Sequence, residues 1–403
     1  MGMADWVPGP ATVAVAALLA GLVVGTTAGT AATPRRITDC RTITEPGAYD
    51  LTANVSGSAD TSCLRIETSN VTLDGHGHAI RATQASGTTG TGVLVASADG
   101  NRLQNVTVRD LRVSNWETGV AFRDVNGGAI RDVTATESRN GLVLTDSSQV
   151  TVRNVTAINN EGGVLTRDVT DSTFRNVLAR YNAGTGLYTS NDFDGNRLVN
   201  VVARANRDDG IRLGPAWNTV VVNATANGNG GSGLAMLDTG QVVVSRLTVS
   251  NNEGTGLDLT VVAGTRFETV TARNNTEAIY AAAESRNVTV SDLTIGPGGP
   301  LSLTAGAATV EATASPPPAP AGYQRLDPAI TVTRADEGAS KPVVTMTAPA
   351  QTQHSPSLWI YRNDSWQELD GVQFESGENS LTATVGNGIV APMVSTGERT
   401  NGT

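Results

Sequence analysis

Eight positions share one frame of a repeating pattern, each two residues after a Gly or its aligned Ala: Ala121, Val143, Leu165, Tyr188, Arg212, Ala235, Asp258 and Tyr280. The first three are apolar. Tyr188, Arg212, Asp258 and Tyr280 then bring two rings, a guanidinium and a carboxyl into the same frame. This is the equipment of a carbohydrate site, where ring faces stack on sugars and charged groups bond their hydroxyls and carboxylates. Asp208, Asp209 and Glu253 fall just before the Gly of their own repeats. Carboxyl pairs about 5–10 Å apart run glycoside hydrolysis, and an Arg beside a sugar acid suits lyase chemistry. Asp258, Arg212 and Asp208 form the candidate catalytic set. The plainer alternative is a solvated strand face.

Other residue types recur as well. Arg109, Arg131, Arg153 and Arg175 stand one per repeat, followed by Asp110, Asp132, Asn154 and Asn176. A surface ion-pair network is the first reading of this column, and a site for acidic polysaccharide or phosphate is the second. Asp124, Asp146, Asp168 and Asp238 recur five residues after the Gly, which is turn chemistry with calcium as the alternative. His76 and His78 would share a metal if they lay on a strand, but their Gly-flanked context reads as a turn, so no metal site is assigned. No cofactor is expected beyond that calcium alternative. Nucleophile-elbow, phosphate-loop and Cys/His zinc motifs are absent from the sequence.

These residues need a scaffold that repeats at the same interval. Gly92-Val93-Leu94 opens a series continuing at Gly119, Gly141, Gly163, Gly186, Gly210, Gly233, Gly256 and Ala278, with steps of 22 to 24 residues after a first step of 27. A second apolar segment, such as Val152-Arg153-Asn154-Val155, falls in each repeat. Four residues before the Gly stands an Asn in most repeats: Asn115, Asn159, Asn182, Asn206, Asn229, Asn252 and Asn274. Short β-rich runs without helical periodicity predict one coil of strands per repeat, stacked about 4.8 Å apart. The Asn residues are expected to form a ladder between coils, and the Gly to supply a backbone angle that β-branched residues resist.

The recurring Gly-apolar and Asn positions over 92–295 resemble the right-handed parallel β-helix proteins, a group that holds pectin-lyase-like enzymes and NosD-like periplasmic copper proteins. That resemblance implies an all-β right-handed parallel β-helix of about nine to ten coils. It says little about activity, because the scaffold hosts enzymes, adhesins and binding proteins alike. Five Met, three His and two Cys do not make a copper-rich cluster, so the similarity to the copper proteins is one of coil.

The remaining chain divides around this body. An apolar run from Ala11 to Val24 fits a signal peptide over residues 1–32, with an uncleaved membrane anchor as the alternative. Residues 33–91 read as an N-terminal cap and first coil, where Val71-Thr72-Leu73-Asp74-Gly75-His76 resembles haloarchaeal β-helix proteins. Cys40 and Cys63 suit one disulfide pinning that cap, or else two buried thiols. Residues 296–325 are rich in Pro and Gly and read as a linker, with one weak strand at 301–314. Residues 326–397 regain β patterning, resemble small immunoglobulin-like domains of archaeal surface proteins, and precede a disordered tail at 398–403.

The net charge is −10 and Lys341 is the only lysine, a balance that disfavours nucleic acid and resembles haloarchaeal secreted proteins. Nine Asn-X-Ser/Thr sequons make a secreted glycoprotein plausible in chemistry. The leading expectation is a secreted or cell-surface structural and binding protein recognising polysaccharide or a cell-envelope glycan, touching membrane only through an uncleaved leader. The alternatives are a polysaccharide lyase or hydrolase, and a NosD-like copper accessory protein.

Overall fold

The computed structural model describes residues 33–83, 89–282, 284–295, 301–305, 308–334, 341–347, 355–375 and 380–396. The leader expected at 1–32 and the tail at 398–403 lie outside these. Every regular element among the described residues is a strand. The coil makes about 11 turns rather than nine to ten. The difference arises at the start: Arg35–Ile37 and Gly47–Leu51 already stack in parallel beneath Val71–Asp74, so the stretch at 33–91 read as a cap and one coil holds more than one turn.

Two long sheets line the coil. In the first, Val106–Ser114, Ala129–Thr136, Thr151–Ile158 and their successors stack in parallel up to Val288–Thr294. The second runs through Thr91–Val95, Thr118–Arg123, Asn140–Ser148 and onward to Ile279–Ala281. Register is kept from coil to coil, so each sequence frame becomes a straight column. Val108, Ile130, Val152, Phe174, Leu198, Val221 and Val244 form one inward column, at most 1% exposed. Each such side chain contributes about 1.5–3 kcal/mol of apolar burial. Corners are made by left-handed residues: Asp124, Asp146, Asp168 and Asp238 have φ of 50 to 54°, a conformation that short polar side chains tolerate.

A buried amide ladder binds successive coils. It runs through Asn160, Asn182, Asn206, Asn229, Asn252 and Asn275. In Asn206, Oδ1 accepts from the backbone N–H and Nδ2 of Asn182, at 3.1 and 2.9 Å, while Nδ2 donates to Ala179 O and to Asn229 Oδ1. All four hydrogen-bonding positions of the amide are thereby used. Asn182, Asn206, Asn229 and Asn252 were expected here. Asn115, Asn159 and Asn274 are not in the ladder; they occupy the preceding corner with φ of 65, 55 and 54°. Only two residues separate Asn160 from Gly163, but three separate Asn182 from Gly186. Counting back a fixed four therefore lands one residue early in the shorter turns. At the N-terminal end Ser138 and Trp116 continue the column, Ser138 N–H donating to Asn160 Oδ1 and Trp116 N–H to Ser138 Oγ.

The repeat Gly residues serve this ladder. None from Gly92 to Gly256 in that frame has a positive φ, so the expected backbone-angle role is wrong. Instead, a Cβ on Gly186 would lie 2.6 Å from Asn206 Nδ2 and 2.7 Å from Gly210 O. The Gly column is the space through which one coil's Asn meets the next.

Cys40 and Cys63 form a disulfide, Cα atoms 4.4 Å apart, that ties adjacent coils at the N-terminal end. Towards the C-terminus, the stretch expected as a linker carries three strands, Leu301–Ala305, Ala308–Ala312 and Tyr323–Arg325. Leu301–Ala305 pairs antiparallel with Val288–Thr294, and Ala308–Ala312 with Ile279–Ala281. Val343–Thr347 and Ile330–Arg334 add to these in turn, and one hydrophobic cluster is continuous from Ile37 to Val390.

Substituting Asn206→Ala strands several buried partners and is expected to cost about 2–4 kcal/mol. Asn200→Ala, in the solvent-exposed amide column where Asn200 bonds Asn176, is expected to cost well under about 1 kcal/mol. Denaturant midpoints of the two variants check the contrast, and equal losses would remove the ladder's special status.

Candidate functional site

The outward frame of the second sheet builds the site. Leu94, Ala121, Val143, Leu165, Tyr188, Arg212, Ala235, Asp258 and Tyr280 are paired neighbours in unbroken register. All four residues expected to bind carbohydrate thus stand in one column along the solenoid axis. The strands alternate inward and outward: Leu187 and Thr189 are buried, while Tyr188 between them is 36% exposed. The corner residues just before each Gly rise beside this column and make a wall.

Two open clefts, about 540 and 700 Å³, adjoin along the column and share Glu117, Asn140, Leu165 and Tyr188. Arg123, Thr145 and Arg167 edge the first cleft. Arg139 stands in the second, between Glu117 at 2.9 Å and Glu161 at 3.5 Å. This Arg-and-acid triad was not picked out from the sequence. Its members each lie two residues before the repeat Gly, in one regular frame whose charge changes sign from coil to coil.

Farther along, Arg212 Nη1 lies 3.4 Å from Asp209 Oδ2. Asp209 is the acid set into the wall; its Oδ1 accepts from Ser232 N–H at 2.8 Å. Asp208, placed in the catalytic set from sequence, is exposed instead and accepts from Thr185 Oγ1 at 3.1 Å. Asp208 lines the second cleft with Tyr188 and Arg212, whereas Asp209, directly before the Gly, turns in and pairs with Arg212. Burial pushes the Asp209 carboxyl above its ordinary range, helped by Asp208 and Asp258, while the Ser232 N–H and Arg212 oppose the shift. Burial also raises Asp258, against a hydrogen bond from Thr260 and the charge of Arg212. Asp209, Arg212 and Asp258 therefore feel one another's charge. Between the coils of Arg212 and Asp258 stands Ala235, only 8% exposed between its two charged neighbours. Two carboxyls held towards their neutral forms near Arg212, which lines the second cleft, are candidates for proton transfer.

A separate set could hold a cation. Asp50, Asp74 and His76 each place a ligand atom within 4.8 Å of the others. Arg109 already sits 2.7 Å from Asp74 Oδ2, and His76 Nε2 is 3.2 Å from Asp50 Oδ1, so these groups also satisfy one another without an ion. His76 and Gly77 have φ of 47 and 76°, which confirms the turn and removes the strand geometry that would align His76 with His78.

The raised carboxyls set a sign for pH dependence. A group that binds its proton more tightly when folded stabilises the fold fully below the ordinary carboxylate range. That contribution is lost as pH rises through the raised value. Asp209→Asn keeps an oxygen for Ser232 N–H and removes the buried charge. Relative to the parent, this variant is expected to gain stability between pH 4 and pH 7, as judged from denaturant midpoints on the acidic and neutral sides (about those values). A pH slope identical to the parent's would contradict the burial of this charge.

Comparison with known proteins bears on the scaffold. The Dettilon tailspike protein is similar over 89% of this chain and 86% of its own, with 10% identity and a TM-score of 0.50. The A-module of an Azotobacter vinelandii mannuronan C-5 epimerase covers 63% of this chain and 77% of its own, at 18% identity and a TM-score of 0.48. A mutant of a periplasmic alginate epimerase covers 63% and 75%, at 10% identity and the same score. Likeness at these identities concerns the fold alone. No curated protein matches significantly. The family described as right handed beta helix region matches residues 67–211 and 189–312, and the chain belongs to that family.

Proposed function

We propose that this chain is a glycan-binding β-helix protein of an extracellular or envelope compartment, holding a polysaccharide along the outward column of the second sheet. The observation that carries the reading is the column itself. An exposed Tyr188, the Arg212–Asp209 pair, Ala235, Asp258 and Tyr280 follow one another at coil spacing beside a wall of acids and arginines. An extended polymer meets a new set of groups at each coil, about every 4.8 Å. Ring faces supply stacking, and the flanking carboxyls and guanidiniums supply hydrogen bonds. The Cys40–Cys63 disulfide supports an oxidising compartment. The acid-rich, nearly lysine-free composition supports testing at high salt as well as low.

A second reading, catalysis on the same polymer, is favoured by the two raised carboxyls near Arg212. Asp209 or Asp258 in its neutral form would donate a proton to a leaving oxygen while the other, ionised, served as base or nucleophile. Calcium at the Asp turns belongs to the same proposal and enters the test as an added ion. The copper-accessory reading lacks a thiolate, since both cysteines are joined to each other.

The test is a screen of neutral and acidic polysaccharides at low and high salt, with and without calcium. Binding is read by affinity electrophoresis, and chain shortening or unsaturated uronate by mass spectrometry. At least one polymer is expected to retard the protein, with Tyr188→Ala weakening it about tenfold. Products lost in Asp258→Ala would promote the catalytic reading. A protein that no polymer retards would defeat both.

A further inference from the structure

On the opposite sheet Arg109, Arg131, Arg153 and Arg175 are paired neighbours, one guanidinium per coil, and all four are exposed. Before Arg109 the column runs Arg36, Asp50 and Asp74 in the same register, so two acids precede the row. Asp74 neutralises Arg109 at 2.7 Å. The expected ion-pair network stops there. Among the described residues, Arg131, Arg153 and Arg175 enter no ion pair. Asp132, the acid next to Arg131 in the chain, instead accepts from Asn154 Nδ2 at 2.8 Å, and Asn176 Nδ2 bonds Asn154 Oδ1 at 2.9 Å. The exposed corner amides thus occupy the acid that could have balanced the row. Three like charges about 4.8 Å apart lie well within one screening length, so they act on a ligand together.

We infer that this row is a second binding surface, for a linear acidic polysaccharide lying along the solenoid axis. The row is cationic in a chain whose net charge is −10, so it does not follow from general basicity. Guanidinium forks match carboxylate and sulfate groups in bidentate geometry. A sugar unit in an extended chain advances by about one coil, which places one acid group at each Arg. Duplex nucleic acid spaces its charges about 3.4 Å apart along each strand and falls out of step with the coils. Thr151 and Thr173, two residues before Arg153 and Arg175 on the same side of their strands, put hydroxyls beside the row. Past Arg175 the column continues as Val199 and Val222, so the row ends there and is matched by a segment of three to four acidic units.

The experiment uses the full chain carrying Arg131→Gln, Arg153→Gln and Arg175→Gln together. Its control carries Arg246→Gln, Arg273→Gln and Arg286→Gln, which remove the same charge from other exposed positions. Circular dichroism verifies both folds. Binding is measured to a polyuronate, a sulfated glycan, neutral dextran and duplex DNA over a range of salt. The row variant is expected to bind both acidic glycans at least about tenfold more weakly than the control, with a shallower salt dependence and unchanged dextran binding. Equal affinities in the two variants, or parent binding to DNA as tight as to glycan, would overturn the inference. The second-sheet reading fails separately, through Tyr188→Ala, so the two surfaces are judged apart.

Discussion

The buried amide ladder is the constraint on which the rest of the molecule depends. Each Asn from Asn182 to Asn252 gives and receives its full set of hydrogen bonds only if the next coil arrives at the same height and in the same register. Its neighbours must then be small. The glycines from Gly141 to Gly256 leave room for an amide that a Cβ would push away. An unmatched amide inside an apolar core is costly, so a coil in any other register is disfavoured. Strict register is in turn what makes straight columns from sequence frames. Tyr188, Arg212 and Asp258, or Arg131, Arg153 and Arg175, stand in line only because the ladder holds their coils aligned.

The fold was legible because period survives in sequence: a Gly-apolar pair every 22 to 24 residues forces a coil, and residues two after the Gly share a face. That frame is strand, and strands do not change length silently. Turns do. The extra residue before Gly186, absent before Gly163, moved the apparent ladder from Asn160 to Asn159, whereas the Glu117–Arg139–Glu161 triad keeps a fixed frame and was missed because its residue types alternate between acid and base. The same corner geometry separates Asp209, turned in, from Asp208, turned out, and composition does not distinguish them. The Gly column was recognised for a reason that proved wrong. Close approach between coils and a left-handed backbone both select Gly, and only three dimensions tell them apart.

The two sheets divide the charge between them. Acids and arginines alternate along the second sheet's wall, so Arg139 and Arg212 are held by carboxyls and the surface is patterned rather than charged. On the first sheet the corner asparagines bond along the stack, and the arginines beside them stay uncompensated. One scaffold thereby presents a surface of paired charges on one sheet and a row of like charges on the other.

The switch from parallel to antiparallel pairing at Leu301–Ala305 has a meaning for assembly. A parallel solenoid is a head-to-tail object: its last coil carries the same hydrogen-bonding pattern as every coil before it and would accept the first coil of another copy. Such a heterologous contact does not close on itself and grows into a filament. Reversing direction at both sheets, through Leu301–Ala305 and Ala308–Ala312, changes the polarity of the terminal bonds so that the two ends of the molecule no longer match. The C-terminal strands thus set a stop on a translational symmetry that the repeat alone would continue, and the molecule is a finite segment of a fibre.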